Sequence, residues 1–393
     1  MSLLAATTIT NVDYWPLFIL LVSVVWVVVG ITKLRLHPFL TLMLAAILVG
    51  LMTGPLPELT TENKGLFHSR VALDETPEGG TSDMIKAVKW SLLGFGNTAA
   101  GIGWVVALAA IIGTCMMGSG AADRVVRSLM AVFGEKRAGI VLLLSGFLLS
   151  IPVFFDTVFF LLIPLARALA LRTGKHYTMY VIAMAGAGAI THSMVPPTPG
   201  PLMIADWLKL DLGVTMMAGL VASLLPALLV LKMATWFDKK YNIPMRDTPG
   251  ASEKELKSIV EKKDEDLPPL FLSALPIAFP VVLISTVSVL KLLMKTAEEG
   301  SALASEGYLA FFEYLEFFGS PNVAMTVAAS VAIFTLAQQV IREEAGKDLN
   351  LSKKLQETLE GPLGTAGVII LITGAGGAFG GMIRLAGVGD VIE

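Results

Sequence analysis

The stretch AITHSMVPPTPGPLMIAD, residues 189 to 206, decides the architecture of the chain, because it places four prolines within six positions at the end of an apolar run. Proline lacks a backbone N–H and restricts the residue before it, so the helix that arrives through residues 184–193 must stop near Val195. A new helix can begin at Pro201, since a proline at the first helical position gives up only an N–H that has no intrahelical partner. Interrupted backbone at membrane depth is tolerated only where protein buries it or where it lines a polar cavity. We therefore predict a substrate site here, at which the N–H groups of the new helix receive a carboxylate.

The composition of the whole chain is that of a membrane protein. Apolar residues make up 54% and charged residues 16% of its 393 residues, whereas soluble domains carry about 25% charged residues. We predict an all-α polytopic membrane protein embedded in a lipid bilayer. No basic block interleaved with aromatic residues occurs, so no nucleic-acid partner is expected. The single cysteine, Cys115, lies in an apolar run and is expected to be a small core residue.

Nine apolar segments are long enough to be membrane spans or interrupted spans. They are residues 15–33, 36–54, 96–118, 138–171 (interrupted), 178–195, 213–236, 269–293, 321–340 and 362–383. The connections rich in Lys and Arg then fall on one side, which is the cytoplasm by the positive-inside tendency. The segment 55–89 and the acidic loop 294–320 fall on the other side.

This alternation of sides requires two segments to enter and leave the membrane on the same side. Residues 138–171 do so as a helical hairpin with its tip at Ser150-Ile151-Pro152. Residues 178–236 do so with the proline break near their turning point. Paired interruptions of this kind in apolar segments indicate the binding site of a transporter.

A charged, proline-flanked segment, residues 238–268, separates two halves of the chain. It predicts a cytoplasmic linker between an N-terminal repeat (1–237) and a C-terminal repeat (269–393). A weak internal match supports the repeat, since MMGSGAADRVV (116–126) and IRLAGVGDVI (383–392) share glycine and aspartate spacing. After the second match the chain stops, so the second repeat is expected to be incomplete.

The strings THSMVPPTPGP (191–201) and SIPVFFDTVFFLLIPLARAL (150–169) resemble the gluconate permease (GntP) family of sugar-acid:proton symporters, within the ion transporter superfamily. The similarity runs from about Leu17 to the end. It implies an inverted-repeat fold with re-entrant helical hairpins, an elevator-type transport domain, a homodimer and a place in the bacterial inner membrane. Relatives continue with a Gly-Ser-Ala-Thr string and a His-Val-Asn-Asp string that have no match here. We therefore expect the chain to be a fragment of a longer transporter.

The resemblance implies a set of substrate-binding residues around the proline break. They are Thr191, His192, Ser193, Pro197, Thr198 and Gly200. His192 can titrate near neutral pH or hydrogen-bond a polyol acid, and the alternative is a core histidine whose hydrogen bonds are satisfied within the protein. The three hydroxyl side chains of the set either bond substrate hydroxyls or cap the interrupted helices.

Asp156 is the candidate for proton coupling. A carboxylate at membrane depth costs roughly 2.5 to 3.5 kcal/mol on insertion scales, so it is normally neutralised, paired or functional. Enclosure by Phe159, Phe160 and neighbouring leucines would favour its protonated form. The alternative is a structural carboxylate that caps a half-helix or pairs with Arg167.

Other polar and small residues have weaker interpretations. Arg384 either binds a substrate carboxylate or extends to the membrane surface, and Asn97 with Thr98 resembles a sodium-site pair. The glycines of two segments are expected at close helix contacts. They are Gly186, Gly188, Gly374, Gly376, Gly377, Gly380 and Gly381.

Motifs for catalysis, metal binding and cofactor binding do not occur: the chain has no His-Glu-x-x-His, no Gly-x-x-x-x-Gly-Lys and no Cys-x-x-Cys. We expect no enzyme, metal or cofactor, and a carrier that imports gluconate or a related sugar acid with protons. Alternatives are a carrier of another small organic anion (dicarboxylate, citrate or lactate), coupled either to protons or to sodium, and a structural membrane module. A remote alternative is an intramembrane aspartyl protease that uses Asp156 and Asp390.

Overall fold

A computed structural model describes residues 13–57, 82–173, 175–241, 243, 264–296, 306–343 and 350–392. All regular structure within these ranges is helical, which confirms the predicted all-α class. The α-helices are α1 (Trp15–Thr32), α2 (Pro38–Met52), α3 (Asp83–Gly118), α4 (Ala121–Phe133), α5 (Ala138–Leu149), α6 (Phe155–Thr173), α7 (Tyr177–Met194), α8 (Pro199–Trp207), α9 (Leu212–Tyr241), α10 (Leu270–Thr296), α11 (Glu306–Gly319), α12 (Pro321–Glu343), α13 (Leu351–Leu385) and α14 (Val388–Ile392).

Seven stretches of the described chain are long and apolar enough to cross a bilayer. They are α1, α3, the α7–α8 pair, α9, most of α10, α12 and α13. The helix α2 is apolar but shorter. This confirms a multi-pass membrane protein. The predicted spans 96–118 and 362–383 are parts of the longer helices α3 and α13.

The acidic segment 294–320, predicted as a loop, contains the helix α11. Its buried side chains include Phe312, while Phe311 and Tyr314 are exposed. Glu316 forms an ion pair with Lys291 of α10 at 2.6 Å. The glutamates hid the helical spacing of the apolar residues, so composition alone suggested a loop.

Two other predicted connections lie mainly outside the described residues. These are 58–81 in the segment 55–89, and 242 with 244–263 in the linker 238–268. Residues 238–241 belong to the last turn of α9.

The chain divides into two compact units, one formed by residues 1–103 with 368–393 and the other by residues 104–367. These compact units do not test the predicted repeats, because the repeats are defined by symmetry within the sequence and the units by the contacts within each. The division into 1–237, 238–268 and 269–393 therefore stays a prediction.

The first unit packs around the fully buried side chain of Trp90, together with Val49, Ala378 and Met382. Glycines allow the close approach of its helices. A Cβ atom added at Gly374 would lie 2.8 Å from the ring of Phe95, and one added at Gly377 would meet the side chain of Thr98. The predicted close-packing role is confirmed for these two glycines, whereas a Cβ at Gly376 would find nothing within 4 Å.

In the second unit, α5 and α7 run parallel to each other. Gly139 of α5 approaches Met179, and Gly146 approaches Met184 further along both helices. The helix α9 runs antiparallel to α7, since Met194 at the end of α7 meets Gly219 near the start of α9.

The helix α6 also runs antiparallel to α7. Its first residue, Phe155, lies against Gly188 late in α7, and its last residue, Thr173, accepts a hydrogen bond from Tyr180 near the start of α7. The α5–α6 pair is therefore the predicted hairpin. Residues 177–241 likewise go out and return, as predicted.

Basic and acidic side chains meet at two places in this unit. Arg127 bonds Asp123 and Asp264, each at 2.9 Å. Burial lowers the pKa of Arg127, but the hydrogen bonds and charges of the two carboxylates outweigh it and leave the pKa above its usual value. Asp238 of α9 accepts a bond from the Met179 N–H and contacts His176, so it caps the start of α7.

Candidate functional site

The first interruption separates α7 from α8. The helix α7 ends at Met194, and Val195 is extended with φ −115° and ψ 119°, which confirms the predicted stop. The helix α8 begins at Pro199, not at Pro201 as predicted. Both prolines fit in the first turn, because the N–H groups of the first three helical positions have no intrahelical partner.

The start of α8 offers few backbone donors. Pro199 and Pro201 have no N–H, so Gly200 carries the N–H among the first three helical positions. Gly200 is exposed, and a Cβ atom added to it would find nothing within 4 Å. The sequence predicts several N–H groups for a carboxylate, whereas the first three positions of α8 offer one, the N–H of the exposed Gly200.

The second interruption separates α5 from α6. The helix α5 ends at Leu149, the chain turns through residues 150–154, and α6 begins at Phe155. The N–H of Ser150 donates to the Gly146 carbonyl at 3.2 Å. The hairpin tip lies where the sequence predicts it.

The two interruptions meet along the last turns of α7. A Cβ atom added at Gly188 would lie 2.8 Å from Ser150 Oγ and 3.2 Å from the ring of Phe155. His192 lies four residues after Gly188, on the same face of the helix. Its ring packs edge-on against Phe154 with centroids 6.1 Å apart. The hairpin tip and the proline break thus form one site.

Two polar atoms in this site are buried without a hydrogen-bond partner among the described residues: Ser150 Oγ and His192 Nδ1. Buried polar groups in proteins are nearly always hydrogen-bonded, and leaving one unpaired costs about 1–3 kcal/mol. The sequence indicates only a turn at Ser150, so its polar role was missed. The available signal was a serine next to the break in an apolar run.

The hydroxyl groups of Thr191, Ser193 and Thr198 donate to backbone carbonyls. Their acceptors are the carbonyls of Ala187 at 3.1 Å, Ala189 at 2.7 Å and Val195 at 2.7 Å, respectively. Thr191 and Thr198 are buried, whereas Ser193 is exposed. Each hydroxyl oxygen keeps acceptor capacity, so these groups can accept hydrogen bonds from a ligand but have their own protons engaged. Pro197, also buried, lies inside the break.

Asp156 lies in the first turn of α6, and its side chain is exposed. The neighbouring Phe160 is 66% exposed, so the predicted enclosure of the carboxylate is not found. Asp156 is close enough to His192 to interact with it electrostatically. Arg167 follows eleven residues later on the same helix, about 16 Å along its axis, which makes the alternative pairing wrong.

Three other candidate residues belong to the first unit. Arg384 is exposed, while Asn97 and Thr98 are buried. Within the described part of the chain, no group of three or more His, Cys, Asp and Glu side chains could hold a metal ion. Cys115, in the second unit, is fully buried, as expected of a core residue.

A cavity of about 290 Å³ opens elsewhere in the second unit, between α3, α4 and α6. Its walls are mainly apolar and include Phe160, Pro164 and Leu267. Its carboxylate, Asp123, is already paired with Arg127. The lining contains none of the substrate-binding residues predicted from the sequence, so we place the candidate site at the interruptions.

Comparison with known proteins gives consistent matches. The profile of one family, described as GntP family permease, matches residues 15–64 and 80–393. An uncharacterized permease of Haemophilus influenzae is 33% identical over 95% of this chain and 68% of its own length. A gluconate permease of Pseudomonas aeruginosa is 30% identical over 97% and 73%, and a D-serine transporter of Escherichia coli is 28% identical over 96% and 73%. No solved structure matches.

Proposed function

Because the chain belongs to the GntP family of permeases, we propose that it imports gluconate or a related sugar acid by proton symport. As a member of that family it is a multi-pass protein of the bacterial inner membrane that transports an organic acid and is not an enzyme. The choice of sugar acid and the coupling to protons are the parts we propose. The homodimer and the elevator movement implied by the family resemblance belong to the same proposal.

One observation carries the proposal: the two interrupted helices meet at His192, whose Nδ1 is buried without a partner in the described structure. In this proposal the Gly200 N–H and the positive end of α8 bind the carboxylate. His192 and the oxygen atoms of Thr191, Ser193 and Thr198 bind the hydroxyl groups, and Pro197 holds the break open. Asp156 carries the proton, next to the substrate.

A second substrate class is supported by the D-serine transporter among the relatives. Gluconate and D-serine both combine a carboxylate with at least one hydroxyl group. The site geometry suits that shared chemistry. Asp156, the carboxylate that interacts with His192, is assigned to the proton in this proposal and is therefore not assigned to an ammonium group. We therefore rank the sugar acid first.

Uptake into proteoliposomes tests the function. The purified chain should accumulate labelled gluconate when the outside is more acidic than the inside, and an uncoupler should abolish the accumulation. Competition with unlabelled D-serine, citrate and lactate ranks the substrates. Accumulation that follows a sodium gradient and ignores pH would refute the proton coupling, and a chain that transports none of these acids would refute the substrate assignment.

Replacing Gly200 with alanine should weaken gluconate binding without weakening the fold. The new methyl group enters open space, but it covers the N–H that we assign to the carboxylate. Loss of a hydrogen bond to a charged group costs about 1.5–3 kcal/mol, so the KM for uptake should rise about tenfold or more. The matched control is Gly364→Ala, another exposed helical glycine with nothing within 4 Å. An unchanged KM for Gly200→Ala would remove Gly200 from the site.

A further inference from the structure

Ser150 stands at the end of α5 as a buried polar residue with no assigned role. We propose that Ser150 and His192 together bind one hydroxyl group of the substrate and so select hydroxylated acids over analogues that lack this hydroxyl. The inference rests on the proposed transport function and deepens it, since it names the group that the site distinguishes.

Ser150 is fully buried and its hydroxyl is unpaired among the described residues. Its side chain is 0% exposed, and its Oγ has no hydrogen-bond partner in the described chain. Ser145, five residues earlier in α5, is equally buried, but its hydroxyl donates to the Val141 carbonyl at 2.7 Å. The fold therefore satisfies a buried serine on this helix where no ligand is needed, and it leaves Ser150 unpaired at the interruption.

Ser150 lies where the hairpin tip packs against α7. Its Oγ packs against Gly188, where an added Cβ would lie only 2.8 Å away, so the hairpin tip and α7 are in close contact at this hydroxyl. His192 lies one helical turn further on the same face, about 6 Å along the axis, and its unpaired Nδ1 is buried as well. Two polar atoms without a partner in the described chain thus border the same face of α7, about one helical turn apart, where both broken segments meet.

Ser150 and His192 have the donor and acceptor groups that a hydroxyl ligand needs. A serine hydroxyl both donates and accepts, and a neutral imidazole nitrogen does one or the other according to its tautomer. A substrate hydroxyl, which also donates and accepts, can bond both. The rings of Phe154 and Phe155 border the site, so a deoxy analogue would leave both protein atoms unpaired in apolar surroundings. Sites built to bind a hydroxyl in this way strongly reject analogues without it.

The test compares uptake of gluconate with uptake of its monodeoxy analogues in proteoliposomes. The wild-type chain should prefer gluconate over at least one analogue by about tenfold or more. Ser150→Ala should clearly lower that ratio, mainly by losing gluconate affinity, while His192 keeps its own share of the preference. Ser145→Ala should keep the wild-type ratio, because its hydroxyl is satisfied within its own helix.

Thermal unfolding without substrate separates this role from a structural one. Because the removed hydroxyl is unpaired, the Tm of Ser150→Ala without substrate should equal or exceed that of the wild type. Added gluconate should raise the Tm of the variant less than it raises the Tm of the wild type. A Ser150→Ala chain that unfolds early, or that keeps the wild-type preference, overturns the inference while the transport function stands. A wild-type chain without any preference among the analogues overturns it too. A wild-type chain that transports no sugar acid refutes the proposed function itself.

Discussion

Replacing Asp156 with asparagine should abolish proton-driven accumulation of gluconate while leaving gluconate binding in place. Asparagine keeps the size of the side chain but cannot take up or release a proton, so the carrier loses its coupling ion. We expect accumulation against a gradient to fall to the background of empty vesicles. Equilibrium binding and gluconate exchange across the membrane should stay within about threefold of wild type, since the carboxylate of Asp156 is not assigned to the substrate.

The matched control is Asp390→Asn, which removes another exposed aspartate from the first turn of a helix. This variant should accumulate gluconate like the wild type. If Asp156→Asn still accumulates gluconate in response to a pH gradient, another group carries the proton.

Replacing Gly146 with alanine should strongly destabilise the second unit. The helices α5 and α7 approach so closely there that the new Cβ would meet the backbone carbonyl oxygen of Met184. A backbone atom cannot rotate away as a side chain can, so the helices must separate. Overpacking of this kind costs about 1–3 kcal/mol, and we expect a value at the upper end with a clear fall in Tm in detergent.

Gly139→Ala serves as the control on the same helix. Its new Cβ would lie 2.9 Å from the terminal methyl group of Met179, which can move by rotation of a flexible side chain. This variant should unfold close to the wild-type temperature. Equal Tm values for Gly146→Ala and the wild type would contradict the close contact between α5 and α7.

The broken segments were predictable because proline acts locally. The stop near Val195 and the hairpin tip at Ser150 follow from a missing donor and a fixed dihedral angle, and neither depends on distant residues. The all-α class and the multi-pass character follow from the long apolar segments of the sequence, which likewise do not depend on distant residues. These features could be predicted without knowledge of the packing.

The details of the site depend on packing that a single sequence does not contain. Nothing local shows that Gly188 faces Ser150, or that Asp156 is exposed beside Phe160, because these facts require the direction of α6 relative to α7. The start of α8 at Pro199 was missed because both prolines are compatible with the first turn, and the choice between them is made by the surrounding chain. The helix α11 was missed because its glutamates obscured an apolar helical pattern.

Each interruption ends one helix and begins another. The carbonyl ends of α5 and α7 therefore lie at the same site as the amide end of α6, and the amide end of α8 follows directly after the proline break. Carbonyl ends attract cations and amide ends attract anions. A carrier with this arrangement can hold an anion and a cation side by side, and each of the two ions makes entry of the other less costly, by the same factor in both directions. A half-loaded carrier keeps an uncompensated charge, which the hydrocarbon interior opposes. In the proposed proton symport, the same feature that opens the helices would therefore also limit leak of either ion alone.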